Sequence, residues 1–151
     1  MDYNFYMSKA YEQALVAYEK KETPIGCVIV YNDAIIGRGR NMRNEKKNAL
    51  CHAELIAINE ASFILGDWRL EGAIIFVTVE PCPMCAGAIL QARIKELVYG
   101  AANKKAGCCG GVMNLFEERG FNHSVIVSGG VMKEECASLM SRFFGELRNA
   151  D

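Results

Sequence analysis

The stretch "AIIFVTVEPCPMCAGAILQARIKELVYG", Ala73 to Gly100, decides the fold. Its first part, "AIIFVTV", is an unbroken apolar run that suits a strand buried on both faces. "PMCAGAILQAR" then reads as a helix, with Pro83 at a first helical position, where its missing N–H costs nothing. "KELVYG" follows as a short strand. Upstream, Met7, Ala10, Tyr11, Ala14, Leu15 and Tyr18 recur at helical spacing, predicting an amphipathic helix over 3–20 that Pro24 stops. "IGCVIVYNDAIIGRGRN" predicts a β-hairpin turning at Asn32-Asp33. "AELIAINEASFIL" predicts a helix with Leu55, Ile58, Ala61, Ser62 and Leu65 on one side, terminated by Gly66-Asp67. Downstream, "GCCGGVMNLFEERG" is a Gly-rich approach to a short helix, "SVIVSGG" a strand, and "KEECASLMSRFFGELR" a closing helix. Strands alternating with helices after an initial hairpin predict an α/β/α layered domain with a mixed sheet. No repeat, linker or low-complexity segment interrupts the chain, so one domain over 1–151 is expected.

Composition narrows the setting. Seven cysteines at irregular spacing argue against a secreted disulfide framework and fit a reducing, cytoplasmic one. The N-terminus lacks a basic leader followed by an apolar core, and no apolar run approaches the ~20 residues of a membrane helix, so no membrane partner is expected. Net charge is −1, from 17 basic and 18 acidic residues, which does not advertise nucleic-acid binding. The distribution is less neutral: Arg38, Arg40, Arg43, Lys46 and Lys47 crowd together against Glu45 alone, and Lys104-Lys105 form a second pair. Such a cluster reads either as a solvated face or, beside a pocket, as a set of phosphate contacts.

The chemistry begins at Cys82-Pro-Met-Cys85. Pro83 makes Cys82 the expected N-cap and puts Cys85 one turn along on the same face. There the positive end of the helix dipole and free N–H groups favour thiolates. Two such sulfurs suit a redox dithiol or a metal equally. "CHAEL", residues 51–55, separates these readings, because His52 is one of only two histidines and also opens a predicted helix. One imidazole and two thiolates make a three-ligand zinc set with a fourth position for water. A purely structural zinc site would need a fourth Cys or His, for which Cys51 and Cys108-Cys109 are candidates. Glu54 lies two residues beyond His52, about 200° around a regular helix. Both reach one metal region only with His52 in the first turn. A carboxylate beside the metal is what an activated water needs as a proton shuttle. A redox dithiol would leave both His52 and Glu54 without a role.

The pattern H-x-E…P-C-x-x-C, here "HAE" and "PCPMC", resembles the signature of the zinc nucleobase deaminases, which does not by itself choose among cytosine, adenine and guanine. The remaining stretches, "TPIGCVIV", "GRGRN", "CHAELIAI", "VTVEPCPMCAGAILQARI", "VYGA", "KAGCCG", "FNH" and "EECASLMSRFFGELR", resemble the bacterial tRNA-specific adenosine deaminases nearly end to end. The resemblance implies a cytidine deaminase-like three-layer fold with a mixed five-stranded sheet, assembled as a homodimer. It implies hydrolytic conversion of adenosine to inosine at the wobble position of a tRNA anticodon stem-loop. One Zn2+ per chain on His52, Cys82 and Cys85 follows from it, as does Glu54 as proton shuttle. Asn41 is implied to hydrogen-bond the flipped base and Asn103 to approach its ribose, with Pro24, Ala53 and Pro81 also at the substrate.

Two departures stand out. The family usually has aspartate where this chain has Asn103, often followed by proline, here Lys104. An amide keeps an acceptor but loses the charge, so altered RNA-versus-DNA discrimination is expected. Many relatives also end in a longer basic tail where this sequence ends "ELRNAD", and weaker tRNA affinity is the expected consequence. A free nucleobase or nucleoside deaminase, of guanine or cytosine type, is the alternative. Near-neutral charge and Asn103 favour it, whereas "FNH" and the C-terminal "FF" favour the tRNA enzyme.

Overall fold

The computed structural model describes residues 1–150. The elements run α1 (Tyr3–Glu19), β1 (Gly26–Tyr31), β2 (Ala34–Arg40), α2 (Arg43–Lys46), α3 (Ala53–Leu65), β3 (Ile74–Val79), α4 (Pro83–Gln91), β4 (Glu96–Ala101), a 3-10 turn (Leu115–Glu117), β5 (Ile126–Ser128) and α5 (Lys133–Arg148). One five-stranded sheet has the order β2-β1-β3-β4-β5. Strand β1 is antiparallel to both β2 and β3, while β3, β4 and β5 are parallel. The sheet is mixed, as the hairpin followed by strand–helix alternation predicts. The hairpin turns where expected: Asn32 and Asp33 both take positive φ, 49° and 63°, the conformation of a type I′ turn.

Period-two alternation assigns the two faces. Cys27, Ile29, Ile75, Val77 and Leu97 point into one cluster with α3 and α4 residues such as Ala57, Ala61, Ile89 and Leu90. Val28, Val30, Phe76 and Val98 point the opposite way, onto Met7 and Ala10 of α1. Helix α5 joins α1 on that side, where Tyr18 packs edge-on against Phe143. The result is three layers, with β3 buried from Ile75 to Val79, as its unbroken apolar run requires.

The buried face of α3 departs from the expected one. Ala53, Ala57 and Ala61 are its buried apolar residues, while Leu55, Ile58 and Leu65 are only half-buried. The cause lies in β2. A Cβ on Gly39 would stand 2.0 Å from the Ala53 carbonyl oxygen, and one on Gly37 2.4 Å from that of Ala57. The helix therefore lies directly on the strand backbone, and only alanine fits between them. The bulkier residues flank this contact. Other differences are at the ends and in the loops: the predicted strand in "SVIVSGG" contracts to three residues, and a one-turn helix, α2, forms in the polar loop after the hairpin.

Gly39→Ala forces backbone apart from backbone. It is expected to destabilise the fold by about 3 kcal/mol, the upper end for overpacking, as read from the midpoint shift in urea unfolding.

Candidate active site

The sheet brings its functional loops to one end. The carboxyl ends of the parallel strands β3 and β4 lead into Glu80–Cys82 and Ala102–Asn103. Because β1 runs antiparallel to β3, the residues before β1 and after β2, Thr23–Ile25 and Asn41, arrive at that same end. Ligand sites of open α/β sheets lie in this place, outside the carboxyl ends of strands. A cavity of about 100 Å³ occupies it.

Two helix starts converge on the cavity. His52 is the N-cap of α3 and Cys82 the N-cap of α4, both with extended backbone, and Pro83 opens α4 as expected. His52 Nδ1 lies 3.6 Å from Cys82 Sγ and 3.5 Å from Cys85 Sγ. A tetrahedral zinc with ordinary Zn–N and Zn–S bonds sets N and S about 3.6 Å apart, so the spacing fits. These are the only three metal-donor residues grouped closely enough to share an ion among the described residues. Neither Cys51 nor Cys108-Cys109 supplies a fourth donor, and Cys108 Sγ instead points at the Ala106 carbonyl. The set is open, not closed.

The three donors also share protons among themselves. Hydrogen bonding from Cys85, then from His52, pulls the Cys82 thiol down to about 4 against the penalty of burial. The same bond to Cys82, with burial, pushes Cys85 strongly up, and contact with Cys82 raises His52. Two sulfurs and an imidazole thus compete for protons that a divalent ion would displace. Beside them Glu54 is buried, and burial pushes its carboxyl up to about 7, with the Cys82 charge adding to the rise.

Of the residues expected at the substrate, Asn41, Ala53 and Asn103 line the cavity. Pro24 and Pro81 are buried in the chain just behind it, and their neighbours Thr23, Ile25, Glu80 and Cys82 form the wall. The Asn41 Oδ1 accepts from the Arg43 N–H at 3.0 Å, so its Nδ2 is the amide end left for a ligand. Asn103 is spoken for in the same manner. Its Oδ1 accepts from the N–H groups of Lys105 and Ala106, at 3.2 and 3.1 Å, again leaving Nδ2. Of the basic cluster, Arg43 reaches the cavity, Lys46 and Lys47 are exposed, and Arg40 is held by Glu45. His123 of "FNH" is elsewhere, donating to the Ile94 carbonyl at 2.7 Å.

Residues 1–148 match the MafB19-like deaminase family. Over 143 residues the chain is 50% identical to the tRNA-specific adenosine deaminase of Bacillus subtilis (strain 168), covering 95% of this chain and 89% of that one. The chain belongs to the tRNA-specific adenosine deaminases. A solved structure from work on A-to-I editing by tRNA:A34 deaminases at the wobble position superposes on this adenosine deaminase fold with a TM-score of 0.86 at 38% identity, covering 89% of this chain and 98% of the other. Guanine deaminase from Nitrosomonas europaea shares the fold, with a TM-score of 0.81 at 17% identity over 94% of this chain and 84% of its own. No helix among the described residues is long and apolar enough to cross a membrane.

Sequence reasoning missed two buried acids beside this deaminase cavity. Glu22 accepts from the N–H groups of Asn44 and Glu45, fixing the α2 turn that carries Arg43. Glu80 lines the cavity and holds the loop after β4. Glu22 lies between the first helix and the hairpin, and Glu80 between a strand and Pro81; a charged residue at each junction is the one signal in the sequence.

Proposed function

We propose that this protein hydrolytically deaminates adenosine to inosine at the wobble position of a tRNA anticodon, as one cytoplasmic deaminase domain over 1–151 with one zinc ion per chain. The observation that carries this reading is a His/Cys/Cys donor triangle sharing a small cavity with the buried Glu54 carboxylate. His52, Cys82 and Cys85 would hold the zinc, which when bound supplies Lewis-acid activation of water at neutral pH. Glu54 moves the protons. Raised toward neutrality, its carboxylate takes a proton from the attacking water and returns it to the amino group that leaves as ammonia. Asn41 offers Nδ2–H to a ring acceptor of the base, and Ala53 lets a planar ring lie close to the His52–Glu54 turn. Arg43 at the cavity, with the exposed Lys46 and Lys47 at the end of the same short helix, suits the phosphates of the anticodon loop. The free-base alternative has the weaker support, since the guanine deaminases of Nitrosomonas europaea and Bacillus subtilis share 17% and 28% identity with this chain, against 50% for the tRNA-specific adenosine deaminase.

Purified protein is expected to contain one zinc per chain by elemental analysis and to release ammonia from an anticodon stem-loop, not from free bases. Glu54→Ala should retain zinc and fold while losing at least about a thousandfold in kcat, within the range of a general acid–base group. Activity within tenfold of the wild type would assign the proton transfers to another group.

The reading includes a homodimer. On α4, Met84, Gly87 and Ala88 are not buried by the chain itself, and a Cβ on Gly87 would meet nothing within 4 Å. Small residues there leave a helix free to approach a second copy closely. Light scattering at micromolar concentration is expected to give twice the chain mass, and a monomer would contradict this.

Asn103 offers the sugar a donor where aspartate would offer a second acceptor and a charge. Deamination of adenine in a single-stranded DNA form of the loop is therefore expected. Asn103→Asp should raise the RNA-to-DNA ratio of kcat/KM about tenfold, or ~1.4 kcal/mol, measured at fixed salt. An unchanged or lower ratio would remove Asn103 from sugar recognition.

A further inference from the structure

Glu80 is 3% exposed, yet no part of the proton chemistry uses it. It follows Val79, the last residue of β3, and precedes Pro81 and the metal donor Cys82. Its carboxylate accepts three backbone N–H groups. Oε1 takes that of Asn103 at 3.0 Å, and Oε2 takes those of Cys109 at 2.7 Å and Gly111 at 2.9 Å. These donors lie at the two ends of the loop that follows β4, so one side chain closes the loop on itself. The closure is tight. A Cβ on Gly107 would stand 2.3 Å from the Glu80 Cδ, and one on Gly111 3.0 Å from both carboxylate oxygens. Gly107 and Gly111 of "KAGCCGG" are thus a seat for this carboxylate. A second link runs alongside, from the Cys108 N–H to the Pro81 carbonyl at 2.9 Å.

We infer that Glu80 is a positioning residue: it fixes the 103–111 loop, and with it Asn103, at a set distance from the turn that carries Cys82. This deepens the proposed function and rests on it, because it takes the cavity between Asn103 and the metal donors as the nucleoside site. A carboxylate is required by the hydrogen-bond count. Glutamine has one oxygen, which can keep Cys109 and Gly111, and then its NH2 faces the Asn103 N–H, donor against donor. The loop end bearing Asn103 is released while His52, Glu54 and the cysteines are untouched. Substrate must then order the loop as it binds, at the expense of affinity.

The test compares wild type, Glu80→Gln and Gly107→Ala, all zinc-loaded, on the anticodon stem-loop. Glu80→Gln is expected to raise KM about tenfold or more, within the cost of a misplaced positioning group, with kcat within about threefold and one zinc per chain. Amide hydrogen exchange should quicken over 103–111 and not over 52–57. Gly107→Ala, whose Cβ would press on the Glu80 carboxylate and on the Asn103 carbonyl alike, should reproduce the KM rise by moving the same loop end. If Glu80→Gln does not fold, Glu80→Asp, which keeps the charge but shortens the reach to the loop, carries the test with the same expected KM rise. An unchanged KM in Glu80→Gln, or a fall in kcat with loss of zinc, would overturn the inference, the latter by making Glu80 a brace of the metal donors. Wild-type protein inactive on the stem-loop would instead overturn the proposed function.

Discussion

Three donor atoms, an imidazole nitrogen and two sulfurs, stand about as far apart as the edges of one tetrahedron, at 3.5 and 3.6 Å for the two N···S pairs. Holding them there is the constraint on which the structure depends, because the starts of two different helices deliver them, His52 from α3 and both cysteines from α4. Helix α4 arrives from β3 at the centre of the sheet. Helix α3 arrives from the far edge and must lie flat on β2 for His52 to come within reach of Cys82. Gly37 and Gly39 remove the side chains that would lift it, and Ala53, Ala57 and Ala61 remove those from the helix. A stripe of small residues therefore serves the chemistry by setting a distance.

Positive charge at the two helix ends is the second consequence of this geometry. Two N-termini aimed at one cation would repel it, and the thiolates and the Glu54 carboxylate oppose that field. The environment also divides labour among the acids. Glu54, enclosed and facing Cys82, is pushed toward the neutral range in which a proton can move either way. Glu22 and Glu80, equally buried, face backbone N–H groups and are consumed in holding loops. Burial alone does not set the task of an acid; what it faces does.

The cavity walls follow from the sheet's mixed direction. Parallel pairing of β3 with β4 puts two loops at one end, and antiparallel pairing of β1 with β2 and β3 returns the hairpin's ends to the same place. Asn41 and Asn103 then face one cavity, each with its oxygen tied to its own turn. Both asparagines present the amide nitrogen, so the cavity offers a ligand donors from opposite walls.

Local chemistry was enough to read much of this in the sequence. Pro83 after Cys82 gave an N-cap, Asn32-Asp33 a turn, and the unbroken "AIIFVTV" a strand buried on both faces, because each depends on its immediate neighbours. The pairing of His52 with Cys82 and Cys85 was also legible, since few residue types bind zinc and their spacing is characteristic. Other contacts between distant segments carry no such signature. The sequence assigned Leu55 and Ile58 to the core of α3, where the approach of a glycine strand left room only for alanine. It offered Cys51, Cys108 and Cys109 as further ligands, and the fold pointed them elsewhere. It passed over Glu22 and Glu80, whose partners are backbone N–H groups more than twenty residues away and carry no side-chain signal. Side-chain type determines what a residue can do; only the packing of distant backbone decides which of those things it does.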